Sequence, residues 1–219
     1  MERYVDMKEI SDGRFYGLND MAKVGCNDCQ GCSKCCSGMG SSIVLTPYDV
    51  WLIKSKTGLT FEELLAEYVE LGVEQGVILP HIKMNETTDS CNFLDENKRC
   101  SIHSHRPGVC RLFPLGRFYE NGDFSYFLQN RECPYPSKTK VKVEKWIDIE
   151  NVEKNSRFIN VWHDFVKKVQ LNMADNKYDD KAVRQINMFI LTEFFVNDFG
   201  GDFYGEFDKR ILEAEVKIG

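Results

Sequence analysis

Residues 26–42 read CNDCQGCSKCCSGMGSS, and this stretch holds five of the nine cysteines in the 219-residue chain. Within it, Cys29, Cys32 and Cys35 recur at three-residue intervals, and Cys36 follows directly. Thiolate sulfur is the soft ligand that zinc and iron–sulfur clusters select, and two-residue gaps let a turn bring successive sulfurs together. The stretch therefore predicts a metal centre around which the N-terminal part of the chain folds.

Four downstream cysteines extend this ligand set: Cys91, Cys100, Cys110 and Cys133. Eight sulfurs divide into two tetrahedral zinc sites, into two four-iron clusters, or into fewer sites with some thiols left over. A CxxCxxC run with a fourth cysteine from elsewhere is typical of a 4Fe-4S cluster, whereas structural zinc prefers two CxxC-like pairs, and both readings stay open. Because these eight complete two shells, Cys26 is interpreted as a peripheral thiol.

The charge and the apolar content of the chain argue against two classes of partner, nucleic acids and membranes. The chain carries 28 Lys and Arg against 34 Asp and Glu, for a net charge of -6, which argues against nucleic acid as a partner. The first nine residues carry charges where a secretory signal needs an apolar stretch, and no window resembles a membrane span. We therefore expect a cytoplasmic protein with no membrane partner, in which reduced cysteines bind metal rather than form disulfides.

Local patterns predict short elements in the cysteine-rich part. Thr46 precedes a proline at the first position of a predicted helix that ends at Gly58, and Thr60 opens a second helix with a capping-box pattern. A short strand is expected over 43–45. Residues 115–128 predict a hairpin that turns at Asn121-Gly122.

The C-terminal part predicts helices. Apolar residues recur at helical spacing from Phe158 to Val169 and again from Val183 to Phe194, which favours a helical hairpin that covers the metal-binding part. The prolines of Cys133-Pro134-Tyr135-Pro136 break any continuing element. The prediction is an α+β fold, with a metal-binding domain of short helices and small hairpins over 1–136 and a helical region over 137–219.

The cysteine pattern also resembles a known family. The CxxCxxCC run is followed by CxFL at Cys91, RCxI at Arg99, RPxxCRxFP at Arg106 and CP at Cys133. This combination is similar to the YkgJ-like CxxCxxCC cysteine-cluster family of zinc- or iron-chelating domains, over about half of the chain. One departure is His103, where that family commonly has tyrosine.

The resemblance implies a metal-chelating protein that holds zinc or an iron–sulfur cluster. The family includes relatives of flagellin lysine N-methylase, so the alternative is an iron–sulfur-dependent methyl-transfer enzyme that acts on lysine in a protein substrate. A redox partner is a further expectation for a cluster protein. Shared architecture does not establish a reaction, so whether the chain is an enzyme stays open.

Charged residues flank the predicted ligands. Arg106 and Arg111 lie on either side of Cys110, where guanidinium groups would offset thiolate charge and donate hydrogen bonds to sulfur or backbone. His103 and His105 are interpreted as polar loop residues, with direct ligation as the alternative.

Overall fold

The computed structural model describes residues 7–26, 32–130 and 132–218. The α-helices are α1 (Met7–Ile10), α2 (Pro47–Thr57), α3 (Phe61–Glu67), α4 (Gly108–Leu112), α5 (Val143–Ile147), α6 (Val152–Ala174), α7 (Asp180–Leu191) and α8 (Phe203–Ile218). The strands are β1 (Ser11–Tyr16), β2 (Met21–Gly25), β3 (Val69–Glu74), β4 (Val77–Ile82), β5 (Leu115–Glu120), β6 (Asp123–Gln129) and β7 (Thr139–Lys142). The protein is therefore an α+β fold, and its small sheets are antiparallel throughout.

The first two predicted helices are confirmed with their caps. The Thr46 side chain accepts a hydrogen bond from the Asp49 amide, and the Asp49 carboxylate accepts one from the Thr46 amide. Thr60 and Glu63 repeat this reciprocal pair at the start of α3. Each pair satisfies donors that a helix start would otherwise leave without partners.

Residues 43–45 do not form the expected regular strand. Val44 makes an isolated bridge to His81, and the Leu45 amide donates to the Pro80 carbonyl at 2.8 Å. The Ile82 amide donates back to the Ile43 carbonyl at 3.0 Å. The segment is too short to extend this pairing, because the cap of α2 begins at the next residue.

The predicted hairpin is present as β5 and β6. Asn121 and Gly122 occupy the turn with φ of 54° and 76°, the left-handed values that a tight two-residue hairpin turn requires. On its other edge, β6 pairs with β1, and this completes a sheet in the order β1-β6-β5.

Replacing Gly122 with alanine is expected to lower the free energy of unfolding by about 1 kcal/mol, because a Cβ atom disfavours left-handed backbone. No atom lies within 4 Å of the position that this Cβ would take, so backbone strain is the only cost. Gly201→Ala is the matched control, since its Cβ also meets nothing and its φ is not positive. Urea denaturation measures both variants, and equal stability would contradict this account.

Two hydrophobic clusters hold the elements together. The larger contains α2, α3 and the β3–β4 hairpin packed against α6, α7 and α8, with Trp162, Phe194 and Phe207 in ring contact at its centre. The smaller joins Ala22, Leu115, Tyr126, Val143, Ile147 and their neighbours. Each cluster contains residues from before and after position 136, the predicted boundary between the two domains.

The C-terminal helical hairpin is confirmed as α6 and α7, and a π-helical turn, Thr192–Val196, follows α7. Helix α8 was missed by the sequence analysis, although Phe203, Phe207 and Ile211 recur every four residues and are buried. Within the described ranges, no helix combines the length and apolar character needed to cross a bilayer.

Candidate metal centre

Three separate segments bring cysteines to one cavity of about 140 Å³. We call it the cysteine cavity, and the cysteines that line it are Cys32, Cys35, Cys36, Cys91, Cys100 and Cys110. Its other walls are largely apolar, with Ile43, Ile82 and Phe93 among them. Of the eight cysteines predicted as ligands, six therefore converge here.

Backbone pairing aligns the first two segments. The Cys36 carbonyl accepts a hydrogen bond from the Cys91 amide at 2.7 Å, and Ser37 forms an antiparallel bridge with Ser90. A second bridge, between Leu94 and Cys100, closes the short loop that connects these two residues. Isolated backbone contacts, rather than a regular sheet, therefore position these cysteines.

Asp49 positions the third segment, helix α4, which carries Cys110. The Asp49 side chain is buried, and its carboxylate accepts a hydrogen bond from the Gly108 amide at 2.7 Å. Burial raises the pKa of Asp49, and hydrogen bonds from Thr46 and Gly108 oppose this rise by stabilising the carboxylate. The sequence analysis missed this role, because a helix-capping pattern does not show that the second carboxylate oxygen reaches another helix.

Four of the thiols form a mutually interacting set, which we call the thiol quartet: Cys35, Cys91, Cys100 and Cys110. Electrostatic interaction joins every pair within the quartet. Burial, together with the smaller effect of neighbouring quartet thiols, raises the pKa of Cys91 to about 11 and that of Cys110 well above its ordinary value. Such thiols stay protonated at neutral pH without a metal, so metal binding must displace their protons.

Cys36 stands beside the quartet. Its side chain is hydrogen-bonded to Cys35, and this bond, followed by burial, raises the pKa of Cys35. Cys35 and Cys36 both line the cysteine cavity.

A second group of thiols lies next to the cysteine cavity. Cys26, Cys32 and Cys133 border a smaller cavity of about 20 Å³, which Cys35 also lines, and the proximity of Cys26 and Cys32 adds to the effect of burial on the Cys133 thiol. Burial is the main cause of the raised pKa of Cys133. Cys26 is almost fully buried at 4% exposure. Cys29, a predicted ligand, lies outside the described residues.

The two predicted arginines act differently. Arg111 is buried and donates hydrogen bonds to the carbonyls of Arg106, Ser104 and Asp148, so it holds the loop before α4 rather than a sulfur. Arg106 lines the cysteine cavity, and its positive charge lowers the pKa of Cys35 and Cys100 against the larger effects that raise them. His103 also lines the cavity.

Within the ranges that the structure describes, no three Cys, His, Asp or Glu side chains are placed to hold a single metal ion together. The donor chemistry nevertheless fits thiolate ligation, since the quartet offers four sulfurs that line one cavity. No disulfide joins the described cysteines to one another.

Comparison with known proteins agrees with the site. A family model described as "CxxCxxCC: Putative zinc- or iron-chelating domain" matches residues 28–146. The match includes Cys29 and every other predicted ligand, and it excludes Cys26. No solved structure matches the chain.

Proposed function

Because the chain belongs to the CxxCxxCC family of zinc- or iron-chelating domains, we propose that its thiol quartet holds an iron–sulfur cluster. The convergence of Cys35, Cys91, Cys100 and Cys110 on the cysteine cavity is the observation that carries this proposal. Four thiolates are the usual ligand set of a 4Fe-4S cluster.

The size of the cysteine cavity favours a cluster over a single ion. By the same volume measure, a cavity for one water molecule has about 10–15 Å³, and a metal ion is smaller still. The cavity of about 140 Å³ is therefore larger than one zinc ion needs. A cluster of several iron and sulfide atoms makes better use of this space.

The placement of the thiols supports the same choice. Four thiolates on one zinc ion, at about 2.3 Å each, lie only about 3.8 Å from one another. A four-iron cluster binds one thiolate at each iron, so its ligands surround a volume instead of meeting at a point. The quartet thiols come from three separate segments and line the walls of the cysteine cavity, which is the arrangement that a cluster requires.

We further propose that Cys26, Cys32 and Cys133 belong to a second thiolate centre, with Cys29 as the fourth ligand. The interaction of Cys133 with both other thiols supports this grouping. The adjoining cavity of about 20 Å³ suits one ion rather than a cluster. Cys26 would then be a ligand rather than the peripheral thiol suggested by spacing.

The bound groups would supply electron transfer or metal storage, while the protein supplies thiolates and apolar walls. Arg106 offsets the thiolate charge, and Arg111 fixes the backbone that presents Cys110. A reducing compartment such as the cytoplasm would keep these thiols reduced.

The test is iron, zinc and sulfide analysis of anaerobically purified protein, together with its absorption spectrum. The quartet proposal expects about four iron and four sulfide per chain and a brown protein. Cys100→Ser should lose the sulfide and the colour. Cys133→Ser, the matched control, should keep both and lose only the second metal.

Zinc without sulfide in the wild-type protein would refute the cluster while leaving chelation intact. Equal loss of sulfide in Cys100→Ser and Cys133→Ser would refute the division into two centres.

A further inference from the structure

A second cavity, which we call the polar cavity, lies away from the cysteines. It has a volume of about 230 Å³ and is bounded by the β3–β4 hairpin, strand β5 and helix α6. None of its lining residues also lines the cysteine cavity. The proposed metal chemistry therefore does not explain it.

Charged side chains meet in the polar cavity from three different elements. Arg117 comes from β5, Lys167 from α6 and Glu74 from β3. The lining residues therefore include two cations and one carboxylate. The charge of Arg117 also acts on Asp49, which does not line the cavity.

One buried polar atom without a hydrogen-bond partner belongs to a residue that lines this cavity, the Nε atom of Arg117. The other such atom among the described side chains, Nε2 of His81, lies 3.4 Å from Oε1 of Glu74, and His81 does not line the cavity. Buried polar atoms usually have partners, so the Nε atom of Arg117 points to a missing polar ligand.

Two aromatic residues contact the Arg117 guanidinium. It lies over the Phe124 ring, 5.2 Å from the ring centroid, and interacts with the Tyr126 hydroxyl. A planar guanidinium with several donors in fixed directions matches a carboxylate group better than a lysine ammonium does. A carboxylate in the polar cavity would meet a preorganised partner at Arg117.

The remaining walls combine apolar and aromatic side chains with the polar residues Thr46, Gln75 and Gln170. Leu79, Ile159, Trp162 and Val166 line the cavity, and the Tyr119 ring stacks on His163 with centroids 3.8 Å apart and planes 5° from parallel. Apolar walls with a few converging polar groups are typical of small-molecule sites. They select a ligand with an apolar body attached to its charged end.

From these observations we propose that the polar cavity binds a small organic monocarboxylate with an apolar body. Its carboxylate contacts Arg117 and Lys167, and its apolar body packs against Ile159, Trp162 and Val166. Glu74 disfavours a dianion in the same space and accepts a hydrogen bond from a ligand that also carries a donor. An apolar amino acid combines these features.

Isothermal titration calorimetry on the purified, metal-loaded protein tests the ligand class with four probes. Phenylalanine and phenylacetate should bind saturably, because both carry a carboxylate and an aromatic body. Phenethylamine, which lacks the carboxylate, should show no saturable binding. Inorganic phosphate should bind at least about tenfold more weakly than phenylalanine. It lacks the apolar body that packs against Ile159, Trp162 and Val166, and Glu74 disfavours a dianion.

Variants test the site. Lys167→Ala should weaken phenylalanine binding at least about fivefold, whereas Lys168→Ala, the exposed neighbour that does not line the cavity, should leave it unchanged. Arg117→Lys keeps the positive charge but loses the planar guanidinium with its donors in fixed directions. This variant should weaken binding by more than Lys167→Ala does. Thermal unfolding checks that each variant is folded.

Three results would overturn the proposal. The first is no saturable binding of either carboxylate, which would mean that water alone fills the cavity. The second is unchanged affinity in Lys167→Ala, which would place the ligand elsewhere. The third is phosphate binding as tight as that of phenylalanine, which would contradict the ligand class.

Discussion

Removal of the bound metal is expected to lower the free energy of unfolding by about 5 kcal/mol or more, because metal-binding energy becomes folding energy where thiolates join distant segments. Between β4 and α4 the described backbone has no regular strand and depends on isolated bridges. Without metal, few interactions in this segment offset the conformational entropy that it loses on folding. Urea denaturation before and after treatment with a strong chelator measures the loss.

Cys110→Ser provides the control for this prediction. If the quartet holds the metal, the variant should already be about as unstable as the chelated wild-type protein, and chelation should change it little. Hydrogen exchange should show that residues 83–107 lose protection first, while α6 keeps its protection. A chelated protein as stable as the untreated one would mean that metal does not stabilise the fold.

Replacing Asp49 with alanine is expected to cost about 4 kcal/mol of unfolding free energy. The buried carboxylate accepts hydrogen bonds from the Thr46 amide at 2.8 Å, the Thr46 hydroxyl at 2.7 Å and the Gly108 amide at 2.7 Å. Alanine would leave two backbone amides without acceptors and would remove the charge near Arg117. A buried donor without a partner costs about 1–3 kcal/mol, and a lost cap about 1 kcal/mol.

Glu63→Ala is the matched control, because Glu63 holds the same capping-box position in α3 but is exposed and reaches no second helix. Its expected cost is about 1 kcal/mol. Asp49→Asn should fall between the two, since its amide oxygen can accept from Gly108 while its NH₂ group faces the Thr46 amide. Calorimetric unfolding of the three variants measures the order.

The Asp49 variant has a second expected consequence. Because Asp49 anchors the start of α4, Asp49→Ala should also bind less metal after refolding, whereas Glu63→Ala should bind as much as the wild-type protein. Equal metal content in the two variants would show that α4 does not need this anchor to present Cys110.

Sequence reasoning succeeded where short-range chemistry decides structure. The Thr46 and Thr60 caps, the Asn121-Gly122 turn and the amphipathic pattern of α6 each depend on residues a few positions apart. It was incomplete where an element depends on distant partners. Residues 43–45 have the composition of a strand, but among the described residues their backbone pairs only with β4, and only at isolated points.

The chain by itself determined the chemistry of this protein: eight of its nine thiols lie in a motif shared with zinc- or iron-chelating domains, and the helices that follow carry none. Side-chain identity and local spacing are written in the sequence, so ligand type and helix caps could be inferred from it. The tertiary structure alone decided which thiols face one another, since Cys35 and Cys110 meet through loop closure and through the Asp49 anchor. It also created the polar cavity, because Glu74, Arg117 and Lys167 come together only when three separate elements pack.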